Sequence, residues 1–216
     1  MEEIDGFILV NRILTNKDLK ELKKIIINNS AKGIVFDDIG MIELLKDINI
    51  TKILMLNHIA NNYVSINYYL DYVDSVVVSN DITKEEIEVI LDNAKKPLVL
   101  NVFGLNSLLY SRRLLISNYN DYYDSKLENC TDLFINEYGF TMFENEFGTV
   151  IYAKKYYNGL ELIPSNNVLY YWYNPVFLDK KKVLDIVINK NIDSLETSNG
   201  FLYQKTMYKL KDGDNK

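Results

Sequence analysis

Short apolar runs recur at roughly 20 to 25 residues through the first half of the chain, each followed by a stretch with helix-like apolar spacing. The runs are Gly6–Asn11, Gly33–Asp37, Lys52–Asn57, Ser75–Asn80 and Pro97–Phe103. Their nearly continuous apolar character predicts strands covered on both faces, as in a parallel sheet. Between them, Lys17–Asn29, Met41–Asp47, Tyr63–Tyr72 and Lys84–Asn93 predict helices. Asn16 and Thr83 are the expected N-caps, and Glu86 completes a capping box with Thr83.

A further helix is expected over Leu105–Ser117, then a loop at Asn120–Asp124. The pattern next becomes β-like over Asp132–Asn136 and Gly139–Tyr152, with a turn near Asn145–Gly148. The βα alternation resumes with Val168–Asn174, a helix over Asp179–Asn189 that opens on three lysines, and a strand near Ile192–Thr197. The fold expected is α/β: an incomplete TIM-like (β/α) barrel of about seven parallel strands with a small β-rich insertion. It fills one domain over residues 1–208, with the insertion at about 126–155 and a disordered tail at 209–216. A closed eight-unit barrel takes about 250 residues. The open edge of a shorter one exposes unpaired backbone groups, so a homo- or hetero-oligomer joined through that edge is expected.

Composition narrows the function. The 216 residues carry 30 acids and 24 Lys+Arg, a net charge of −6, with the lysines scattered rather than grouped. Autonomous nucleic-acid binding is not expected from such a chain. One cysteine and one histidine leave neither a disulfide framework nor a structural zinc set. Neither a metal nor another cofactor is expected. No apolar run approaches the roughly 20 residues of a membrane span, and the start Met-Glu-Glu-Ile-Asp has no leader character, so a soluble cytoplasmic protein is expected.

In parallel βα arrays working residues collect where strands end. Here those ends carry Asn11 and Arg12, Asp37 and Asp38, Asn57 and His58, and Asn80 and Asp81; Arg112 and Arg113 follow the fifth strand. Asp38, His58 and Asp81 are the candidates for acid/base catalysis. Arg113 and Arg112, with Tyr110, Asn57 and Asn11, are the candidates for holding a small anionic ligand, since a guanidinium fork suits a carboxylate or phosphate. Each has a plainer alternative. The aspartates suit turns and helix caps, the histidine suits a structural hydrogen bond, and the arginines suit surface ion pairs. The run Tyr170–Tyr173 offers stacking surface or ordinary strand packing. No Gly-x-Ser-x-Gly elbow and no phosphate-cradling glycine loop occurs.

The segment Leu100–Tyr119 resembles the signature stretch of the collagenase-like peptidases, peptidase family U32. Gly104, Tyr110, Ser111, Arg113, Leu115, Ser117, Asn118 and Tyr119 match its pattern. Val10-Asn11, Asp38-Ile-Gly40, Val76–Ile87 and Ile192–Leu195 extend the likeness. The resemblance implies that the chain starts at about the family's second βα unit. The family's four cluster cysteines fall on Ser107, Leu114, Cys130 and Phe134, its histidine before the glycine on Phe103, and its Glu-Gly-Arg on Ser198-Asn199-Gly200. Members with those cysteines are understood to hold an iron–sulfur cluster and to hydroxylate RNA bases or a quinone precursor, often as paired subunits. One thiolate cannot hold such a cluster. The resemblance therefore implies an accessory or non-catalytic member that binds a small anion and a partner chain in a related system. The alternatives are a cluster-free hydrolase using the carboxylates and His58, or a purely structural interaction module.

Overall fold

The computed structural model describes residues 6–10, 14–29, 31–56, 58–135 and 138–204. They form two compact units: Met1–Asn101, Pro164–Tyr171 and Asn199–Lys216 belong to the first, Val102–Ile163 and Trp172–Ser198 to the second.

In the first unit β1 (Phe7–Val10), β2 (Gly33–Phe36), β3 (Thr51–Leu54), β4 (Ser75–Val78) and the start of β5 (Leu98–Gly104) lie parallel in that order. β2 and β4 are buried along their whole length, which is why their sequences are continuously apolar. The helices between them are α1 (Asn16–Ile27), α2 (Gly40–Leu45), α3 (Tyr63–Tyr69) and α4 (Lys84–Asn93). The α4 box forms as expected: Thr83 accepts from Glu86 N–H, and the Glu86 carboxylate accepts from Thr83 N–H. The cap of α1 is Thr15 rather than Asn16, because Thr15 holds the extended backbone of an N-cap and forms a box with Asp18. Among the described residues β1 pairs with β2 alone, so the strands do not close into a barrel.

The second unit is built differently. β6 (Ser107–Ser111), β7 (Cys130–Ile135), β8 (Tyr138–Asn145) and β9 (Gly148–Ala153) form an antiparallel sheet in the order β6-β9-β8-β7. The helix expected over Leu105–Ser117 is therefore absent. Its first half is β6, and α5 (Leu115–Tyr123) begins later and runs through the expected loop at Asn120–Asp124. Cross-strand pairing of Leu109, Tyr110 and Ser111 with Ile151, Val150 and Thr149 overrides the helix-like leucine spacing. The β-rich region consequently starts at Ser107, well before the expected 126–155.

The expectation of about seven parallel strands is also corrected. The end of β5 pairs antiparallel with β10 (Tyr156–Asn158), which itself pairs parallel with β12 (Thr197–Ser198). The strand expected near Ile192–Thr197 is mostly a turn, closed by Leu195 N–H on the Ile192 carbonyl. β11 (Val168–Asn174) gives its last three residues to this unit, and α6 (Lys180–Asn189) is capped by Asp179. Phe103, Leu160 and Ile186 form its small core, with Tyr156 stacked on Phe103 at 5.6 Å. Gly104 has φ +136°, and a Cβ there would lie 2.3 Å from the Asn174 carbonyl oxygen. Only glycine fits that backbone and that approach.

Candidate acid/base site and signature corner

In the first unit the loops after β3 and β4 meet. Ser79 N–H reaches the Ala60 carbonyl at 3.5 Å, and Asn61 donates to the His58 carbonyl at 3.1 Å. On this scaffold His58 Nδ1 lies 2.5 Å from Asp81 Oδ2. An ionised carboxylate only accepts, so Nδ1 carries the shared proton and Nε2 is the nitrogen left for a substrate. The imidazole is 61% exposed and the Asp81 side chain 35%, so both are reachable from solvent. Asp81 N–H donates to Ser79 Oγ at 3.1 Å, which fixes the aspartate through its backbone.

Asp38 does not join this pair in any described contact. Its Oδ1 accepts from Gly40 N–H at 2.8 Å, a local Asx turn that opens α2. The adjacent Asp37, which directly follows β2, is the distinctive carboxyl group. Burial pushes its pKa up to about 6; its own backbone hydrogen bond lowers it and the charge on Asp38 adds to the rise. The side-chain oxygens of Asn61 and Asn101, also in this unit, are buried with no hydrogen-bond partner among the described residues. Asn11 and Asn57, assigned to the anion site from sequence, lie outside the described residues, as does the expected tail at 209–216.

The signature segment builds a corner of the second unit. Tyr110 OH donates to the Phe147 carbonyl at 2.8 Å, and Arg113 N–H donates to Ser111 Oγ at 3.1 Å. The start of α5 then meets Glu144, which is 4% exposed. Ile116 N–H (2.7 Å), Ser117 N–H (3.1 Å) and Ser117 OH (2.5 Å) all donate to its carboxylate. Thr149 Oγ accepts from Leu115 N–H and lies 2.8 Å from Glu144 and 2.9 Å from the Arg113 carbonyl, so its one proton serves both acceptors. Burial alone would raise the Glu144 pKa. The hydrogen bonds from Ser117, Thr149 and the two backbone N–H groups outweigh it and hold the carboxyl below its ordinary value. Gly148 has φ +134°, and a Cβ there would lie 2.1 Å from the Ser111 carbonyl oxygen, so the β8–β9 turn closes tightly on this corner.

Arg112 and Arg113 stand in the turn between β6 and α5, not in a helix. Both are exposed, and among the described residues neither guanidinium forms an ion pair, so the surface salt bridges weighed against them from sequence are absent. The helix N-terminus beside them is already filled by Glu144, so an external anion would meet the guanidinium groups rather than the helix end. The Tyr170–Tyr173 run packs: Tyr170 meets Phe7 edge-on at 5.5 Å in the first unit, and Tyr173 joins the core of the second.

Sequence reasoning placed His58 and Asp81 at one edge but preferred Asp38 to Asp37. It missed Glu144 and Thr149, which flank the turn expected near Asn145–Gly148. Of the four cluster positions only Cys130 supplies a thiol; Leu114 and Phe134 offer no donor atom, so these residues do not fit an iron–sulfur cluster. No described helix is long and apolar enough to cross a membrane. No curated protein and no solved structure matches the chain. A sequence profile described as Peptidase family U32 matches residues 2–169, most of the chain. Joined to the signature corner, that match establishes that this protein belongs to peptidase family U32.

Proposed function

We propose that this member is a cluster-free acyl hydrolase that works by general acid/base catalysis at the carboxyl ends of β2, β3 and β4. The 2.5 Å contact between His58 and Asp81 carries the reading, because it joins an exposed base to the group that orients it. In this reading His58 Nε2 takes a proton from water as the oxygen adds to an amide or ester carbonyl. Asp81 holds the ring and balances the imidazolium. Asp37, whose raised pKa keeps a neutral fraction near pH 6, gives its proton to the leaving group as the C–N or C–O bond breaks. No covalent nucleophile is required.

The test is turnover of peptide, N-acyl amide and ester substrates by the purified chain and its variants. His58→Gln is expected to lower kcat/KM by about 100-fold or more, and Asp81→Asn by about 10-fold or more with KM little changed. Both positions are open to solvent, so thermal unfolding should stay near that of the parent. Equal kcat/KM for the parent and His58→Gln, or no turnover of any of the three substrate classes, rejects the hydrolase.

A second reading, the accessory subunit that binds a small anion, is favoured by the two exposed arginines without ion-pair partners among the described residues. It places the ligand at the β6–α5 turn and leaves His58 without a catalytic part.

A further inference from the structure

We infer that Asn101, with Asn61, binds the substrate of this site by accepting N–H groups on the acyl side of the bond that is cleaved. The substrate class is then an N-acylated amino-acyl compound rather than a simple fatty or aromatic acyl one. That role rests on the acyl hydrolase proposed above; the need of the two side-chain oxygens for donors does not.

Asn101 interrupts β5. Every other residue of the strand is buried, and Asn101 alone is half-buried, so the strand opens to solvent at the one position that carries a carboxamide. Its Oδ1 is nevertheless sealed from solvent and has no hydrogen-bond partner among the described residues. Such an atom is destabilising, and leucine, of nearly the same shape, would avoid the cost. Asn61 repeats the arrangement. Its NH2 group donates to the His58 carbonyl at 3.1 Å, which fixes the other end of the amide as the oxygen, and that Oδ1 is also buried and unpartnered among the described residues. Both atoms are acceptors, so whatever completes them brings donors.

Sheet register places them. Phe36, Leu54 and Val76 stand in one cross-strand row, and Val77 and Val99 in the next. Asp37, one residue after Phe36, falls in the row of Val77 and Val99, and Asn101 lies two residues beyond Val99, on the same face as Asp37. Asn61 follows Ala60, whose carbonyl accepts from Ser79 N–H. Ser79 and Asn101 in turn each come one residue after the last β4–β5 pair, Val78 and Leu100. The groups therefore run in order across the strand ends: Asp37 after β2, His58 and Asn61 after β3, Asp81 after β4, and Asn101 on β5. A substrate whose leaving group faces Asp37 extends its acyl side past His58 towards Asn101. An N–H there pairs with the waiting oxygen. An acyl chain without a donor leaves that oxygen buried and unpaired, a mismatch that a hydrogen-bonding site rejects strongly.

The test compares the p-nitrophenyl esters of N-acetylalanine and N-acetyl-N-methylalanine, which share the scissile bond and differ in one acyl-side N–H. The parent is expected to favour the N–H ester by at least about 10-fold in kcat/KM, and Asn101→Leu to reduce that preference to under about 3-fold. A purely structural role for Asn101 would lower both rates alike. Because leucine removes a buried orphan, thermal unfolding of the variant should equal or exceed that of the parent. Binding is read separately, by NMR titration of His58→Gln with N-acetylalaninamide and N-acetyl-N-methylalaninamide. The first should bind at least about 10-fold tighter, and adding Asn101→Leu should abolish the difference. Equal binding of the two amides, binding of neither, or a preference that survives Asn101→Leu overturns the role given to Asn101, and ester turnover in the parent would still leave the hydrolase standing. A binding preference that depends on Asn101, in a chain that turns over neither ester, rejects the hydrolase and keeps Asn101 as the residue that binds the N–H group.

Discussion

Two carboxyl groups, one in each unit, depart from their ordinary proton affinity in opposite directions. Glu144 lies deep in the second unit with four donors aimed at it, and its pKa is held down despite burial. Asp37 lies at the end of β2 in the first unit, and burial raises its pKa to about 6. Burial acts on both in the same sense, so the supply of donors decides the outcome. A carboxylate surrounded by donors is a structural joint, whereas one that is desolvated and under-supplied is poised to move a proton.

The largest effect is expected at the joint. Glu144→Ala removes the acceptor for Ile116 and Ser117 N–H and leaves the Ser117 and Thr149 hydroxyls short of a partner, which should cost about 3 kcal/mol of unfolding free energy. Urea denaturation at pH 7 measures it. Because the folded pKa lies below the unfolded value of 4.5, the ionised form stabilises the fold above that pH, and this part is lost as pH falls through the folded value. The gap between parent and variant should therefore narrow in acid. A loss under about 1 kcal/mol at pH 7 would remove Glu144 from the role of joint.

Asp37 should behave in reverse. Its folded pKa of about 6 exceeds the unfolded 3.8, so the folded chain retains a proton that the unfolded chain releases. Stability contributed by the neutral form is complete below about pH 4 and is lost as pH rises towards 6. Asp37→Asn, neutral at every pH, should therefore stabilise the chain by about 1 to 2 kcal/mol at pH 7 and by little at pH 4. Turnover on an acyl substrate should fall in the same variant, since the proton donor is gone. A destabilised Asp37→Asn at pH 7 would mean that the charged form is the one the fold favours, and the contrast with Glu144 would fail.

What was legible in the sequence follows the same division. The first unit rests on local signals: apolar runs for β2 and β4, a Thr83–Glu86 box for α4, an Asx turn at Asp38. Each is written within a few residues, so its elements were readable. The second unit rests on partners far along the chain. Ser107–Ser111 is a strand because β9 pairs with it about 40 residues later, and Glu144 is buried because α5 arrives to use it. Neither fact is written near the residue concerned. The same holds within the candidate site: neighbouring Asp37 and Asp38 are alike in sequence, and only burial and the Gly40 contact separate poised acid from turn former.

The smallest effect on the fold, and the sharpest test of whether the signature corner does more than hold itself together, is expected at Arg113. Its described hydrogen bonds use the backbone: the N–H donates to Ser111 Oγ and the carbonyl accepts from Thr149. Alanine keeps both. Arg113→Ala should therefore change unfolding free energy by less than about 0.5 kcal/mol, as exposed substitutions commonly do. If the guanidinium holds an anion, calorimetry with inorganic phosphate or citrate should show binding to the parent at least about 5-fold tighter than to the variant, with the difference shrinking as salt rises. Arg112→Ala should matter less, because Arg113 and not Arg112 is among the residues that match the signature stretch. Unchanged anion binding together with a large loss of thermal stability would make Arg113 part of the joint that Glu144 already forms, and the second unit would then lack a ligand site at this turn.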